Sequence, residues 1–343
     1  MFLSILKPLA VVSTIALSTL GVLSRKYRRA RYAFHLTLYA GTLGFMSVAG
    51  VFISLAATIA GQRLNTNYLV ARCFYGITSP LVGIRLIVEG GEHLEPEAGR
   101  EQSAILVGNH QSFLDILYLG RIFPKRASIM AKRELIWAPL LGQYLAASGA
   151  VFVDRKDRKN AMTAMTTAGE NMKRTGVSLW VFPEGTRSST PSPVLLPFKK
   201  GAFHLAVQAQ VPIIPVVCEN YHRLFDGSTR FESGDLRIRV LPPISTKGLS
   251  SSDVGELAEE TRRQMLDALI EISAPGPGQG AERRAPSHTH AIAPAEEGPP
   301  PPNGAEGGLV DRLDGELISG HGESTDDDEM DDDVVLIRRP KTE

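Results

Sequence analysis

The chain has 343 residues, with 37 basic and 37 acidic side chains and a hydrophobic fraction of 43%, enough for a sizeable core. Its two cysteines, Cys73 and Cys218, are too few for a disulfide-stapled secreted scaffold. The zero net charge hides an asymmetry: residues 274–343 carry 16 acidic and 6 basic groups, leaving a body with 31 basic and 21 acidic groups that suits anionic lipid, phosphate esters or nucleic acid.

Residues 8–24 and 32–62 contain no formal charge. A membrane span takes roughly 20 apolar residues, so the second stretch is long enough and the first is borderline. The first also has some features of a signal peptide, but its single Lys7 and the lack of a clear small-residue cleavage site disfavour that. Between them, Arg25, Lys26, Arg28, Arg29 and Arg31 form a basic cluster suited to an anionic cytoplasmic membrane surface. Residues 1–63 are therefore predicted to be a membrane-anchoring helical hairpin. Two full spans would place the body across the membrane from the cluster. A hairpin dipping into one leaflet would leave it on the cytoplasmic side, and both arrangements stay open.

Residues 65–83 read as a membrane-proximal helix leading to a strand at 84–88. Beyond them, short apolar runs at 104–107, 127–130, 150–153, 177–182, 212–217 and 236–241 read as strands. Helical patterns at 115–121, 134–147, 160–174 and 202–208 alternate with them, and 257–272 reads as a final amphipathic helix. This alternation predicts an α/β fold with a mostly parallel sheet covered by helices on both faces.

At the end of the 104–107 strand stands Asn109-His110-Gln111-Ser112-Phe113-Leu114-Asp115. A histidine and a carboxylate five positions apart cannot share one face of a regular helix. They can meet if His110 lies in the strand-to-helix turn and Asp115 in the first helical turn. Acyl transfer to an alcohol needs an imidazole so oriented. The same residues also fit a capping box, with Ser112 as N-cap and Asp115 folding back on it.

Further along, Lys132-Arg133-Glu134-Leu135 and Asp154-Arg155 follow predicted strands, as does Phe182-Pro183-Glu184-Gly185-Thr186-Arg187. Ligands bind outside the carboxyl ends of parallel strands. Gly185 allows close backbone approach there, and Arg187 offers a planar fork for phosphate. Each segment alone also fits a charged surface turn. Val211-Pro212-Ile213-Ile214-Pro215-Val216 reads either as an edge or bulged strand or as a wall of an acyl site.

In order and spacing, these blocks resemble the four-block signature of the 1-acylglycerol-3-phosphate (lysophosphatidic acid) acyltransferases. The resemblance covers roughly residues 84–241 and the N-terminal hairpin. It implies a glycerophosphate-acyltransferase-like fold over residues 64–273. It also implies His110 as general base toward the sn-2 hydroxyl, with Asp115 orienting it. Arg187, Lys132 and Arg155 would hold the acceptor phosphate, and Glu184 and Gly185 would position the glycerol. The implied co-substrates are acyl-CoA and lysophosphatidic acid, used at a lipid bilayer, expected to be the endoplasmic reticulum membrane. No cofactor, no metal and no nucleic-acid partner is expected.

Residues 274–343 are rich in proline, glycine and acidic side chains, and are predicted to be a disordered acidic tail of unassigned partner. Ser324 and Thr325 precede Asp326-Asp327-Asp328-Glu329, an acidophilic-kinase context. The tail reads either as inert and solvated or as folding back over the cationic site.

Overall fold

A computed structural model describes residues 2–94, 103–153 and 174–274, with residues 167, 169, 170 and 172 between the last two. Arg155, most of the helix expected over 160–174 and the tail from residue 275 lie outside the described residues. The described part belongs to one compact unit, Met1–Ala274. Its chain order is α1 (Phe2–Ser24), α2 (Arg28–Ile59), α3 (Thr66–Val82), β1 (Ile84–Glu89), β2 (Ile105–Gly108), α4 (Asp115–Ile122) and β3 (Ala127–Lys132). There follow α5 (Leu141–Ala147), β4 (Val151–Val153), β5 (Ser178–Val181), α6 (Gly201–Ala209), β6 (Ile213–Cys218), β7 (Gly234–Val240) and α7 (Val254–Ser273).

The strands form one sheet in the order β1-β7-β6-β2-β5-β3-β4. Every neighbouring pair is parallel except β6–β7, so β1 and β7 run against the other five. Every residue of β2 and β6 is buried, as expected of strands covered on both faces. Alternate residues serve two cores. Leu106, Trp180, Ile214 and Val216 pack with Tyr39 and Met46 of α2, Val70 and Phe74 of α3, and Leu117 of α4. Ile105, Val107, Leu179 and Val217 pack with Phe203 of α6 and Met265 of α7 on the other face.

Two expectations need correction. The segment expected to be one helix over 134–147 is a 3₁₀ turn, Arg133–Trp137, followed by α5. Pro139 holds Ala138 extended and removes a helical donor, so the helix restarts only at Leu141. Likewise β6 is not an edge strand: it lies between β2 and β7 despite Pro215. Pro215 faces β7 with its carbonyl, which accepts the Leu241 N–H at 2.9 Å. The β7 ladder leaves β6 beyond Val240 and resumes only at Ile244. In this gap the chain carries Pro242 and Pro243, so the N–H that Pro215 lacks has no ladder to break.

The N-terminal hairpin is also more than an anchor. One stripe of α2 is buried, running through His35, Tyr39, Thr42, Met46, Gly50, Ser54 and Ala57. Its contacts extend along the body: His35 Nδ1 lies 2.8 Å from the Phe231 carbonyl, and the Tyr39 hydroxyl donates to the Phe113 carbonyl at 2.8 Å. At Gly50 the ring of Tyr144 comes so close that a β-carbon would sit 2.9 Å from it. Of the basic cluster, Arg31 pairs with Glu232 at 2.6 Å and Arg28 with Asp226 at 3.3 Å, tying the hairpin turn to the β6–β7 connection. The opposite side of α2 exposes Phe45, Val48, Phe52, Leu55 and Ile59. Among the described residues, α2 is the helix long and apolar enough to cross a membrane.

Candidate functional site

The carboxyl ends of β2, β5 and β3 form one edge of the sheet. Val107 is level with Val181 and Ile129 with Trp180, which brings the segments after these strands side by side. Gly108 ends β2 where a β-carbon would lie 2.4 Å from the Trp180 ring, so only glycine lets the chain leave the sheet there.

His110 lies in the turn and Asp115 opens α4, as their spacing predicted. Nδ1 of His110 is 2.7 Å from Oδ2 of Asp115. An ionised carboxylate only accepts, so Nδ1 carries the hydrogen and Nε2 is left as the acceptor. The imidazole stacks on Phe182, with ring centroids 4.1 Å apart and 18° between planes, and its side chain keeps 17% exposure. Asp115 is buried. Its Oδ2 also accepts the N–H groups of Gln111 at 2.7 Å and Ser112 at 3.2 Å. The carboxylate thus closes the turn and orients the ring. Asp115 folds back on the Ser112 N–H as a capping box would have it, but α4 takes Leu114, without a side-chain cap, as its N-cap. Ser112 Oγ meanwhile accepts the Leu114 N–H at 3.0 Å.

The turn is fixed from three sides. Asn109 exchanges two 2.8 Å hydrogen bonds with the backbone of Cys218, which splices the end of β2 onto the end of β6. Gln111 donates to the carbonyls of Cys218 and Glu219, and the Tyr118 hydroxyl donates to the Asn109 carbonyl. From the β5 side, Ser188 donates both its N–H and its hydroxyl to the His110 carbonyl.

Glu184 is anchored within the protein. It is buried, and its two oxygens accept the N–H groups of His110 at 2.8 Å and Leu196 at 3.0 Å. Burial pushes its carboxyl pKa up, against those donors. Through these bonds Glu184 clamps the His110 backbone. Glu184→Ala should therefore strand two part-buried N–H groups and cost at most about 1–3 kcal/mol of stability for each. Thermal melts beside activity assays check this. Lost activity with an unchanged melt would restore Glu184 to direct substrate contact.

Gly185 has φ +68°, and a β-carbon there would lie 2.8 Å from Cε of Lys199. The alkyl stem of Lys199 thus lies across the loop that carries Arg187. Arg187 and Lys199 are both exposed, and among the described residues neither side chain has a hydrogen-bond or ion-pair partner. Lys132 ends β3 at the same edge, but it pairs with Glu134 at 3.0 Å. The structure therefore brings His110, Asp115, Glu184 and Gly185 together, with Arg187 three residues beyond Glu184. Lys199 and Tyr221 join them and were missed. The only signal for Lys199 was its place in Phe198-Lys199-Lys200-Gly201, just before α6.

A separate cavity of about 1140 Å³, lined by Arg72, Arg121, Lys125 and Lys247 among others, opens at the opposite edge of the sheet and contains none of these residues. Among the described residues, no three His, Cys, Asp or Glu side chains are grouped to hold a metal ion.

The Acyltransferase family profile matches residues 85–219. A Saccharomyces cerevisiae protein named 1-acyl-sn-glycerol-3-phosphate acyltransferase is 43% identical over 224 residues, 65% of this chain and 72% of that one. A human protein named 1-acyl-sn-glycerol-3-phosphate acyltransferase alpha is 39% identical over 252 residues, 73% of this chain and 86% of that one. The crystal structure of a 1-acyl-sn-glycerophosphate acyltransferase from Thermotoga maritima superposes with TM-score 0.60 at 27% identity, covering 72% of this chain and 98% of that one.

Proposed function

The chain belongs to the 1-acylglycerol-3-phosphate acyltransferase family, and from that premise we propose that it transfers a fatty acyl group from acyl-CoA to the sn-2 hydroxyl of 1-acyl-sn-glycerol 3-phosphate. The products are phosphatidic acid and CoA. The observation that carries this reading is the 2.7 Å contact between His110 Nδ1 and Asp115 Oδ2, which leaves Nε2 as a base at an open edge of the sheet. Nε2 takes the hydroxyl proton as that oxygen attacks the thioester carbonyl. The C–S bond then breaks, and the imidazolium returns the proton to the leaving sulfur, giving the CoA thiol. The buried Asp115 carboxylate stabilises the imidazolium between these two steps. The step balances with no covalent enzyme intermediate and no metal or cofactor.

Arg187 supplies the planar fork for the acceptor's phosphate, with Lys199 as a second cation on the same loop. Arg187→Lys keeps the charge but loses the two-point contact. It should raise KM for lysophosphatidate with little change in KM for acyl-CoA. Steady-state kinetics decide this, and an equal rise in both constants would assign Arg187 to the fold or the thioester site.

At the membrane, the contacts of α2 support insertion into one leaflet. From His35 to Ala57 the helix lies along the body for about 33 Å, at 1.5 Å per residue. A helix docked over that length cannot cross a bilayer while the body stays outside it. On this reading the exposed side of α2 meets lipid, and the site works at the membrane surface. An endoplasmic reticulum membrane fits this reading. The deciding experiment incubates purified, detergent-solubilised protein with labelled oleoyl-CoA and a panel of acceptors. Labelled phosphatidic acid from lysophosphatidate is expected. Transfer only to glycerol 3-phosphate or another lysophospholipid would change the acceptor, and no transfer to any acceptor would overturn the reading.

A further inference from the structure

Tyr221 lies just beyond the end of β6, 106 residues from Asp115 in sequence, and its side chain is buried. Its hydroxyl is 2.7 Å from Oδ1 of Asp115, the oxygen not used by His110. It is also 2.8 Å from Oγ of Ser112, which accepts the Leu114 N–H at 3.0 Å. These partners fix every hydrogen. The carboxylate only accepts, so the phenol donates to it and the serine hydroxyl donates to the phenol oxygen. The result is a directional chain: Leu114 N–H to Ser112 O–H to Tyr221 O–H to Asp115. Bonds in such a chain polarise one another, so the phenol is a stronger donor than it would be alone.

We propose that Tyr221, backed by Ser112, is a positioning residue for the proton transfer. It fixes the Asp115 carboxylate with Oδ2 toward His110 and withdraws part of its negative charge. The inference rests on the reading of His110 as the base. Other ionisable groups around the pair are Tyr118 on α4, Cys218 at the end of β6, Tyr39 on α2, and Glu184 and Arg187 on the loop after β5. Burial pushes Tyr118, Cys218 and Tyr221 well up, which keeps all three protonated through the working pH range. Among the described residues, none of these other groups donates a side-chain hydrogen to Oδ1.

The test compares Tyr221→Phe, Ser112→Ala, Asp115→Asn, the Tyr221→Phe/Asp115→Asn double variant and His110→Ala in full-length protein. In Tyr221→Phe, kcat should fall about tenfold, the scale of one hydrogen bond to a charged group. Both KM values should change by less than about twofold, because the residue touches neither substrate. The acid limb of the kcat–pH profile should move up, because an uncompensated carboxylate favours the imidazolium. Ser112→Ala should move the limb the same way by less. In the Asp115→Asn background, where the hydroxyl can only turn to accept from the amide, Tyr221→Phe should cost clearly less. An unchanged kcat and acid limb in Tyr221→Phe would overturn the proposal, as would an equal loss in both backgrounds. If Tyr221→Phe does not fold, an unmoved limb in Ser112→Ala overturns it. An active His110→Ala would instead overturn the underlying reading of the base.

Discussion

Replacing His110 by alanine is expected to lower kcat by about 10²–10⁴-fold or more, the contribution of a positioned general base. The protein should nevertheless stay folded. The residue's structural bonds run through its backbone: its N–H donates to Glu184, and its carbonyl accepts from Ser188. Alanine keeps both. What is lost is the imidazole, its stack on Phe182 and one of the bonds to Asp115. Asp115→Asn should cost less than His110→Ala if the amide oxygen takes the Oδ2 position, still accepting from Gln111, Ser112 and the ring. The amide nitrogen then faces Tyr221, whose hydroxyl can turn to accept. Only the charge that stabilises the imidazolium is removed. Single-turnover assays beside thermal melts give the answer, and wild-type turnover in a folded His110→Ala protein would end the proposed mechanism.

Much of this site was legible because the chemistry is local. Five positions between a histidine and a carboxylate, at a strand-to-helix junction, leave few geometries, and the 2.7 Å contact is one of them. The strands were legible for a related reason: β2 and β6, covered on both faces, are short continuous apolar runs, while β1 and β7 carry charged residues among the apolar ones. Glu184 could not be read this way. A carboxylate between proline and glycine looks like a solvated turn until two backbone N–H groups are seen to converge on it. Tyr221 reaches Asp115 only because β6 lies beside β2, a fact of topology with no local trace in sequence. The break at Pro139 was visible in the letters, but the apolar spacing of the flanking residues suggested one continuous helix. The docking of α2 was less legible. His35, Thr42, Gly50 and Ser54 recur at spacings of four to eight positions on its buried stripe, but Thr37, Gly41, Gly44 and Thr58 are exposed beside Phe45, Val48, Phe52 and Leu55. An uncharged run looks the same whether protein or lipid covers it.

That docking sets the expectation for removing residues 1–61, which on the sequence alone would have freed a soluble body with residual affinity for anionic vesicles. The deletion should instead yield protein that aggregates or fails to accumulate, because α2 supplies part of the core. Tyr39 and Met46 are 1% and 3% exposed and pack against α3, α4 and the sheet. Truncating one large buried side chain costs about 2–5 kcal/mol, and a whole domain is stable by only about 5–15 kcal/mol. Losing α2 removes both side chains and uncovers Phe74 and Phe113, which contact Tyr39, as well as Phe231. It also breaks the Arg31–Glu232 pair that ties down the connection leading from Tyr221 to β7. Deleting only residues 2–24 is the control. Side chains of α1 such as Val11, Val12, Ile15 and Val22 are exposed, so that variant should fold, melt near the full-length protein and bind membranes more weakly through α2 alone. Size-exclusion chromatography, circular dichroism and vesicle flotation on both truncations separate the outcomes. A folded, monodisperse protein lacking residues 1–61 would show that α2 is an anchor after all and that the body closes its core without it.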